Sequence, residues 1–328
     1  MNELIDRYIR YVSSVRRYSA RTQEGYRDVL SQFEAYTLER SGGDTDLAQF
    51  LVPSVLRSYE VYLLEDRGLG ARSVNLHLSV LSGFCRFLMV EGVLKSNPVR
   101  LVTRPKMEKR LPEFYRNESM DEYFAATEHS ASRDGIDLLR TFGDGAAGSR
   151  TATEMYERRL RRLIVSLLHG TGIRRAELIS LNVASVDFSR AVLKVRGKGD
   201  KTRDVPLVPA LVSEIRLYME AVEAYFGRPH AAEDPLLMTA SARRLYPVYV
   251  DRAVKRELGG VPDITGRKSP HVLRHTIATE LLNEGSDLNS IKEMLGHSSL
   301  AATQIYTHNS IEKLKKVYDK AHPRAKEK

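Results

Sequence analysis

Two short stretches at the start of the second half of the chain carry cationic side chains next to glycine turns. TGIRRAEL (171–178) begins with a glycine turn and places Arg174 at the start of a predicted helix, with Glu177 one turn later. RGKGDK (196–201) offers Lys198 at the tip of a predicted hairpin. Guanidinium and ammonium groups at such turns can reach a phosphate from the surface.

A third stretch, SPHVLRHT (269–276), is predicted to open a helix. Ser269 can cap that helix, and proline at 270 suits its first position. His271 and Arg274 are three residues apart and therefore share one face. His271 and His275 have a spacing found in metal sites, but no Glu follows His271 and an arginine lies between the two histidines, so we expect no zinc site.

The fourth stretch, MLGHSSLAATQIYTH (294–308), contains a glycine, a histidine and a tyrosine in that order. Gly296 is predicted to end one helix, and His297 follows it. The next helix, capped by one of two serines, carries Tyr306. A phenol has a pKa near 10, so nucleophilic attack at neutral pH requires a base or a positive charge beside it.

Together these side chains fit phosphodiester transfer without a metal ion. The set contains a hydroxyl nucleophile, two guanidinium groups, one ammonium group and two imidazoles, but it lacks the carboxylate cluster that binds Mg²⁺ in metal-dependent nucleases. Arginine pairs bidentately with phosphate oxygens, and lysine or histidine can protonate a departing 5′-oxygen. We therefore expect neither a metal nor a cofactor.

Each of these residues alone has an ordinary structural explanation. Paired arginines usually lie on a solvated helix face, and Lys198 alone would be a turn lysine. His297 could simply interact with the negative end of a helix dipole. Tyr306 is one of 16 tyrosines. The order and spacing of the whole set, rather than any member, point to catalysis.

Residues 1–96 are predicted to form a small all-helical domain. Apolar residues recur at helical spacing over 4–12, and Ser19 can cap a second helix. Pro53 opens a third helix, and a fourth covers 74–89. The first domain thus has no predicted strand.

The segment NPVRLVTRPKMEKRLPEF (97–114) changes character. Its prolines and its cluster of Arg and Lys leave no periodic apolar face, so residues 97–112 are predicted to be an extended interdomain linker. Its positive charge would suit a segment that lies on a DNA backbone, although a merely solvated linker would look the same.

The second domain, 113–328, is predicted to be mostly helical with one antiparallel hairpin. AVLKV (191–195) and TRDVPL (202–207) are joined at a Gly-Lys-Gly turn. Residues 129–153 are rich in Gly, Ala, Ser and Thr, and we interpret them as a flexible loop or an insertion.

The composition is consistent with a DNA-binding protein of two domains. The chain has 328 residues and a net charge of +9, which favours a partner covered in phosphates. The single cysteine, Cys85, lies in an apolar stretch and is expected to be a buried packing thiol. No apolar run is expected to span a membrane, and the charged N-terminal segment has no signal-peptide core, so we expect a cytoplasmic protein.

The order Arg, Lys, His-x-x-Arg, His, Tyr resembles the active site of the tyrosine recombinases, the phage-integrase family. The helical first domain, the NP…RPK…RLP linker and the tail KVYDKAHPRA (316–325) are similar to the Xer subgroup. The resemblance covers nearly the whole chain, except that 129–153 is longer than is usual in the family. It implies a mainly α fold with a small antiparallel β-hairpin or sheet: a two-domain, C-shaped DNA clamp with a helical core-binding domain and an α+β catalytic domain.

The resemblance also implies a role for each residue. Arg174 and Arg274 would clamp the scissile phosphate, His297 would support it, and Lys198 would protonate the leaving 5′-hydroxyl. His271 would act as a general base or acid toward the tyrosine, and Glu177 would brace the site. Tyr306 would be the nucleophile that forms the 3′-phosphotyrosine.

The partners implied by the resemblance are a double-stranded DNA recombination site and other recombinase protomers. Four protomers, as a homo- or hetero-tetramer with a related recombinase, would exchange strands on synapsed DNA through a Holliday junction without ATP. A C-terminal helix, 311–318, would dock on a neighbouring protomer. The sequence leaves open the DNA site, a second recombinase and an activating DNA translocase.

Other functions remain as alternatives at this point. A type IB topoisomerase uses similar chemistry, and an architectural DNA-binding protein could retain an idle site. Among recombinases, the tail favours chromosome dimer resolution, while 129–153 keeps integration of a mobile element open. No arm-binding module is expected before the first helix, which disfavours the larger phage integrases.

Overall fold

The computed structural model describes residues 2–42, 46–107, 113–197 and 201–296. The chain forms two compact units, Met1–Arg110 and Leu111–Lys328. Each unit has its own hydrophobic core of buried side chains.

The first unit is helical. Its helices are α1 (Glu3–Ser14), α2 (Ala20–Ser41), α3 (Pro53–Glu65) and α4 (Ala71–Val90). The Ser19 side chain accepts a hydrogen bond from the Thr22 N–H and so caps α2, as predicted. Pro53 occupies the first turn of α3, where its missing N–H costs nothing. All four predicted helices of this unit are confirmed.

The core of the first unit is aromatic and aliphatic. Phe33 and Tyr59 meet edge to face, with ring centroids 5.0 Å apart. Cys85 is buried in the same core, and this burial raises the pKa of its thiol to about 12. The thiol is therefore protonated and serves as a packing group, as predicted.

Helix α4 is the one helix in the described part of the chain that is long and apolar enough to cross a membrane. No membrane-spanning run is expected from the sequence. Its Val74, Leu78, Leu81 and Leu88 are buried in the core of the first unit. A core helix of a folded unit can be as apolar as a membrane span. Because these side chains are buried in the core, we interpret α4 as a core helix.

The predicted linker begins inside the first unit. Asn97 caps a 3₁₀ helix, Pro98–Leu101, by accepting a hydrogen bond from the Val99 N–H. Val99 and Val102 are buried in the core of this unit. Two apolar residues are too few to give a recognisable period, which is why the sequence predicts a linker here. Residues 108–112 of the predicted linker lie outside the described residues.

The second unit is also mainly helical. Its helices are α5 (Asn117–Ala126), α6 (Asp134–Arg140), α7 (Arg150–Thr171), α8 (Arg175–Ser180), α9 (Pro209–Phe226), α10 (Pro247–Glu257), α11 (Pro270–Asn283) and α12 (Leu288–Leu295). Helix α7 is buried on all sides over most of its length and packs against α9, α10 and α11. It is the central helix of this unit, and its C-terminal end leads into the candidate site.

A three-stranded antiparallel sheet completes the second unit. Its strands are β1 (Val186–Asp187), β2 (Val192–Arg196) and β3 (Thr202–Pro206), in the order β1-β2-β3. Val195 pairs with Arg203 across the hairpin. The predicted hairpin is confirmed, and the two-residue strand β1 is an addition that its length made invisible in the sequence.

The prediction of a flexible loop at 129–153 is wrong, whereas the alternative of an insertion stays a prediction. This segment contains α6 and a 3₁₀ helix, Gly143–Gly148, and it includes the start of α7. Ile136, Leu139 and Ala146 are buried in the core of the second unit. The two larger side chains are three residues apart on one helical face, but the surrounding glycines and serines hide so short a period.

Candidate active site

The site is built where the ends of three helices meet around Gly172. Helix α7 ends at this residue, whose φ of 62° lies in the left-handed region. A Cβ at this position would lie 2.4 Å from Leu295 Cδ2 and 3.0 Å from Ile277 Cγ2. Only glycine therefore allows α7 to approach α11 and α12 this closely.

Arg174 stands at the N-cap of α8, and Glu177 is the third residue of that helix. The backbone N–H of Arg174 donates to Glu177 Oε2 at 2.8 Å, and its Nη1 donates to Glu177 Oε1 at 2.8 Å. The Arg174 side chain is 37% exposed, so part of its guanidinium faces solvent. The predicted placement of both residues is confirmed.

Arg274 lies on α11, and its guanidinium is buried against two backbone carbonyls. Nη1 donates to the Gly172 oxygen at 2.5 Å, and Nη2 donates to the Leu295 oxygen at 2.6 Å. Burial, and next the positive charge of Arg174, lower the pKa of Arg274 to about 10. The group stays protonated at neutral pH and carries its charge in a poorly hydrated position.

The C-terminal end of α12 connects the two arginines. Arg174 Nη2 donates to the Gly296 oxygen at 2.7 Å, next in the chain to the carbonyl that Arg274 binds. Carbonyls at a helix C-terminus carry partial negative charge, which favours cations there. The structure thus brings Arg274 next to Arg174 and Glu177, which lie far from it in the sequence.

Arg203 on β3 completes this cluster, although it is not among the site residues predicted from the sequence. Its Nη1 and Nη2 donate to Glu177 Oε1 and Oε2 at 3.1 and 2.8 Å. Its Nε donates to the Met294 carbonyl at 2.9 Å. Arg203 and Val205 share the buried side of β3, so a charged residue in phase with the inward positions of a strand was the available signal.

Glu177 is ionised although it is buried. Burial raises the pKa of this carboxyl, but hydrogen bonds from Arg203 and Arg174 outweigh that cost and lower the pKa below its ordinary value. Two guanidinium groups, those of Arg174 and Arg203, donate to this one carboxylate, and the charge of Arg274 also interacts with it. The cluster therefore keeps an excess of positive charge, which suits a phosphate anion.

His271 is exposed at the start of α11, one turn before Arg274. Partial desolvation, followed by the charge of Arg175, lowers the pKa of His271, so the imidazole is neutral at physiological pH. Ser269 stands at the N-cap position of α11, as predicted, but its side chain makes no capping hydrogen bond. Ser269 Oγ has no hydrogen-bond partner among the described residues.

A basic surface depression adjoins His271. Its cationic lining residues are Arg175, Arg252, Lys255, Arg267 and Lys268. Asp251, which pairs with Arg175, is its acidic member. Such a concentration of positive charge attracts a nucleic-acid backbone.

Lys198, His297 and Tyr306 lie outside the described residues, as does the predicted C-terminal helix, 311–318. The described residue before Lys198 borders the cluster: a Cβ on Gly197 would lie 3.6 Å from Arg203 Nη1 and 3.8 Å from Glu177 Oε1. Within the described ranges, no group of His, Cys, Asp and Glu side chains could hold a metal ion.

A cationic cluster beside a basic surface, on a mainly helical unit that follows a separate helical unit, is typical of a protein that binds the phosphate groups of a nucleic acid. Residues 150–313 match the phage integrase family, and residues 5–92 match the phage integrase N-terminal SAM-like domain. The chain therefore belongs to the phage integrase family, that of the tyrosine recombinases, and is an enzyme of site-specific recombination.

Relatives named tyrosine recombinase XerC align over nearly the full length. The protein of Chlorobaculum parvum is 35% identical over 98% of this chain and 94% of its own length. The protein of Bacillus subtilis is 31% identical over 97% of this chain and 95% of its own. The chain is thus a Xer-like member of the family.

Two groups of solved structures share the fold. The integrase of transposon Tn1549 in complex with circular intermediate DNA has a TM-score of 0.61 at 18% identity, covering 95% of this chain and 97% of that one. A lambda integrase dimer bound to a COC′ core site has a TM-score of 0.60 at 17% identity, covering 98% of this chain and 77% of that one. At this identity the likeness concerns the fold.

Proposed function

We propose that this recombinase cuts and rejoins DNA through a 3′-phosphotyrosine and a Holliday junction, and that it resolves chromosome dimers as Xer recombinases do. The proposed catalytic residues are Arg174, Lys198, His271, Arg274, His297 and Tyr306. Glu177 braces them. The predicted domain roles go with this proposal: 1–96 is the core-binding domain, 97–112 the linker and 113–328 the catalytic domain.

The observation that supports the proposal most is the joint anchoring of Arg174 and Arg274 at the end of α12. Their guanidinium groups donate to the carbonyls of two successive residues, and the next residue in the chain is His297. Cations held in place before substrate binds stabilise the charge that develops on a pentavalent phosphorus.

The reaction proceeds without net loss of a phosphoester bond. The Tyr306 hydroxyl gives its proton to His271, and its oxygen forms a bond to the scissile phosphorus. The bond from phosphorus to the 5′-oxygen breaks, and Lys198 protonates that oxygen. Attack by a 5′-hydroxyl of the partner strand reverses these steps, so strand exchange needs no ATP.

The partners in this proposal are a double-stranded DNA site and further protomers. The lambda integrase has been solved as a tetramer bound to a Holliday junction. We infer an assembly of four protomers for this chain, either of one kind or together with a related recombinase, in the cytoplasm. Addition of a related recombinase or a DNA translocase to the purified protein, with formation of recombinant product as the readout, tests whether either is needed.

The assignment to chromosome dimers rests on the relatives named XerC. Capture of the covalent adducts in the protein's own cells, followed by sequencing of the attached DNA, tests it. We expect one chromosomal site. Adducts at the ends of a transposable or phage-like element would instead support integration of that element.

The nucleophile is tested with a duplex that carries the captured site and a nick next to the cleavage position. The wild-type protein should become trapped on a 3′ end, and Tyr306→Phe should form no adduct. Tyr246→Phe, which changes a half-exposed tyrosine at the start of α10, should behave like the wild type. An adduct with Tyr306→Phe would assign the nucleophile elsewhere.

Plasmid relaxation and DNA-binding assays with the same wild-type protein distinguish the other two functions. A type IB topoisomerase would relax a supercoiled plasmid that lacks the site and would give no recombinant product. An architectural protein would bind the site without cleaving it. We expect recombinant product with the site and no relaxation without it.

A further inference from the structure

Arg203 and Arg174 each donate two hydrogen bonds to the Glu177 carboxylate. Each oxygen of Glu177 accepts one hydrogen bond from Arg174 and one from Arg203, at distances between 2.8 and 3.1 Å. The side chains of Arg203 and Glu177 are 8% and 6% exposed, whereas that of Arg174 is 37% exposed. Arg203 is thus the inner partner of the carboxylate, and Arg174 is the one that reaches solvent.

The charges explain why a second arginine is needed. A buried carboxylate paired with Arg174 alone would cancel the charge of that guanidinium, and the pair would attract a phosphate weakly. With Arg203 present, two cations and one anion leave one net positive charge, and the outer group presents it. Arg203 itself is held by the Met294 carbonyl, one residue before the carbonyl that Arg274 binds.

We propose that Arg203 is a positioning residue for Arg174: it neutralises and orients Glu177, so that the carboxylate aligns Arg174 without cancelling its charge toward the scissile phosphate. This inference rests on the proposed function. It adds a residue on β3 to the described part of the site, which is otherwise built from helix ends. Through Arg203, the strand that follows Lys198 is also tied to α8 and α12.

The test is a double-substitution cycle in the full-length protein, with the nicked duplex as substrate and the rate of covalent adduct formation as readout. Arg203→Gln should slow cleavage by roughly 100-fold, as expected when an arranged cationic contact is lost. The double variant Arg203→Gln/Glu177→Gln should cleave roughly tenfold faster than Arg203→Gln, since residues of one ion-pair network couple by this amount. Removal of the uncompensated carboxylate restores the net charge of Arg174.

Arg190→Gln is the matched control. Arg190 pairs with Asp204, the neighbour of Arg203 on β3, at 3.2 Å and is 39% exposed. This variant should cleave like the wild type. A merely structural role for Arg203 predicts that the second substitution adds damage, so a double variant as slow as Arg203→Gln, or slower, would overturn the proposal.

A second variant distinguishes loss of function from misfolding. Arg203→Lys keeps the positive charge and should cleave faster than Arg203→Gln, with a melting temperature close to that of Arg190→Gln. Equal rates for the lysine and glutamine variants would also overturn the proposal. If the wild-type protein itself forms no adduct, the proposed function fails instead. The wild-type reaction thus distinguishes the two failures.

Discussion

Arg174 and Arg274 donate to the carbonyl oxygens of Gly296 and Leu295, at 2.7 and 2.6 Å. A single peptide unit therefore sets the spacing between the two guanidinium groups. The partial negative charge at the end of α12 offsets part of their mutual repulsion. The two cations are held in position without any DNA, which is the condition for efficient electrostatic stabilisation of a transition state.

The first prediction concerns the double contact of Arg274. Arg274→Lys replaces a planar fork that spans the Gly172 and Leu295 carbonyls with one ammonium group, which cannot hold both in the same geometry. The rate of adduct formation should fall by roughly 100-fold or more. DNA affinity, measured by fluorescence anisotropy, should change much less, because many other phosphates are bound.

Arg140→Lys is the control for this substitution. Arg140 lies on α6, half exposed and paired with Asp137, and its replacement should alter neither rate nor affinity. A rate for Arg274→Lys within a few-fold of the wild type would show that the fork does not orient the phosphate.

The second prediction concerns the close approach at Gly172. Gly172→Ala places a methyl group 2.4 Å from Leu295 Cδ2, at a φ of 62°. Leu295 is buried at the end of α12, so we expect relief of this contact to displace that end and the carbonyls that hold both arginines. We expect a lower melting temperature and a loss of adduct formation of roughly 100-fold, the cost of a displacement of about 1 Å in an active site.

Gly42→Ala separates the steric effect from the backbone effect. Gly42 also ends a helix, with a φ of 67°, but a Cβ there meets no atom of the described residues within 4 Å. This variant should lose stability through its backbone alone, by about 1 kcal/mol, and should cleave normally. Equal loss of cleavage in both variants would contradict the steric explanation.

Local patterns predicted many of the elements. The Ser19 side chain predicted the start of α2 in the first unit, and in the second unit the residues of 191–207 predicted the hairpin and Gly172 with Arg174 predicted a turn followed by a helix start. Each of these depends on residues near in sequence, whose side-chain chemistry fixes the local backbone.

The remaining features depend on contacts between distant segments. Arg203 and Glu177 are 26 residues apart, and nothing local shows that a strand arginine will meet a helix carboxylate. The prediction of a loop at 129–153 was wrong for a related reason. Ile136 and Leu139 become core residues only when the rest of the unit is present. Ser269 had the right position for a cap, but its hydroxyl makes no capping bond.

The third prediction concerns the pH dependence of cleavage. If His271 accepts the tyrosine proton, it must be neutral, and its pKa is lowered by partial desolvation and by Arg175. Adduct formation should therefore stay high as the pH falls to 6.5, the ordinary pKa of histidine, and should decline only below it. Arg175→Gln removes the charge that lowers the pKa of His271 most and should move this decline to higher pH.

Arg252→Gln serves as the comparison, because Arg252 lines the same basic depression. It should weaken DNA binding to a similar degree and leave the position of the acid decline unchanged. The profile is measured as the single-turnover rate of adduct formation between pH 5 and 8. An acid decline centred above pH 6.5 in the wild type would rule out a neutral His271 as the base.

A buried carboxyl on α11, outside the cationic cluster, gives the fourth prediction. Glu280 is 2% exposed, and its oxygens have no hydrogen-bond partner in the described part of the chain. Burial, with a smaller contribution from Asp121, raises the pKa of Glu280 to about 8. His169 Nε2 lies 3.8 Å from Glu280 Oε2, too far for a hydrogen bond. At neutral pH the carboxyl is therefore mainly protonated.

This shift makes the protein less stable as the pH rises. Between pH 4.5 and about 8 the unfolded chain releases the Glu280 proton while the folded chain retains it, so the free energy of unfolding falls across this window. Glu280→Gln stays neutral and should be more stable than the wild type at pH 8, by up to a few kcal/mol, with a much smaller difference at pH 5. Urea unfolding at both pH values, followed by circular dichroism, measures the difference.

Glu284→Gln, an exposed change at the end of the same helix, should show no such difference from the wild type. A stability difference between Glu280→Gln and the wild type that is the same at pH 5 and pH 8 would mean that Glu280 ionises normally in the folded protein.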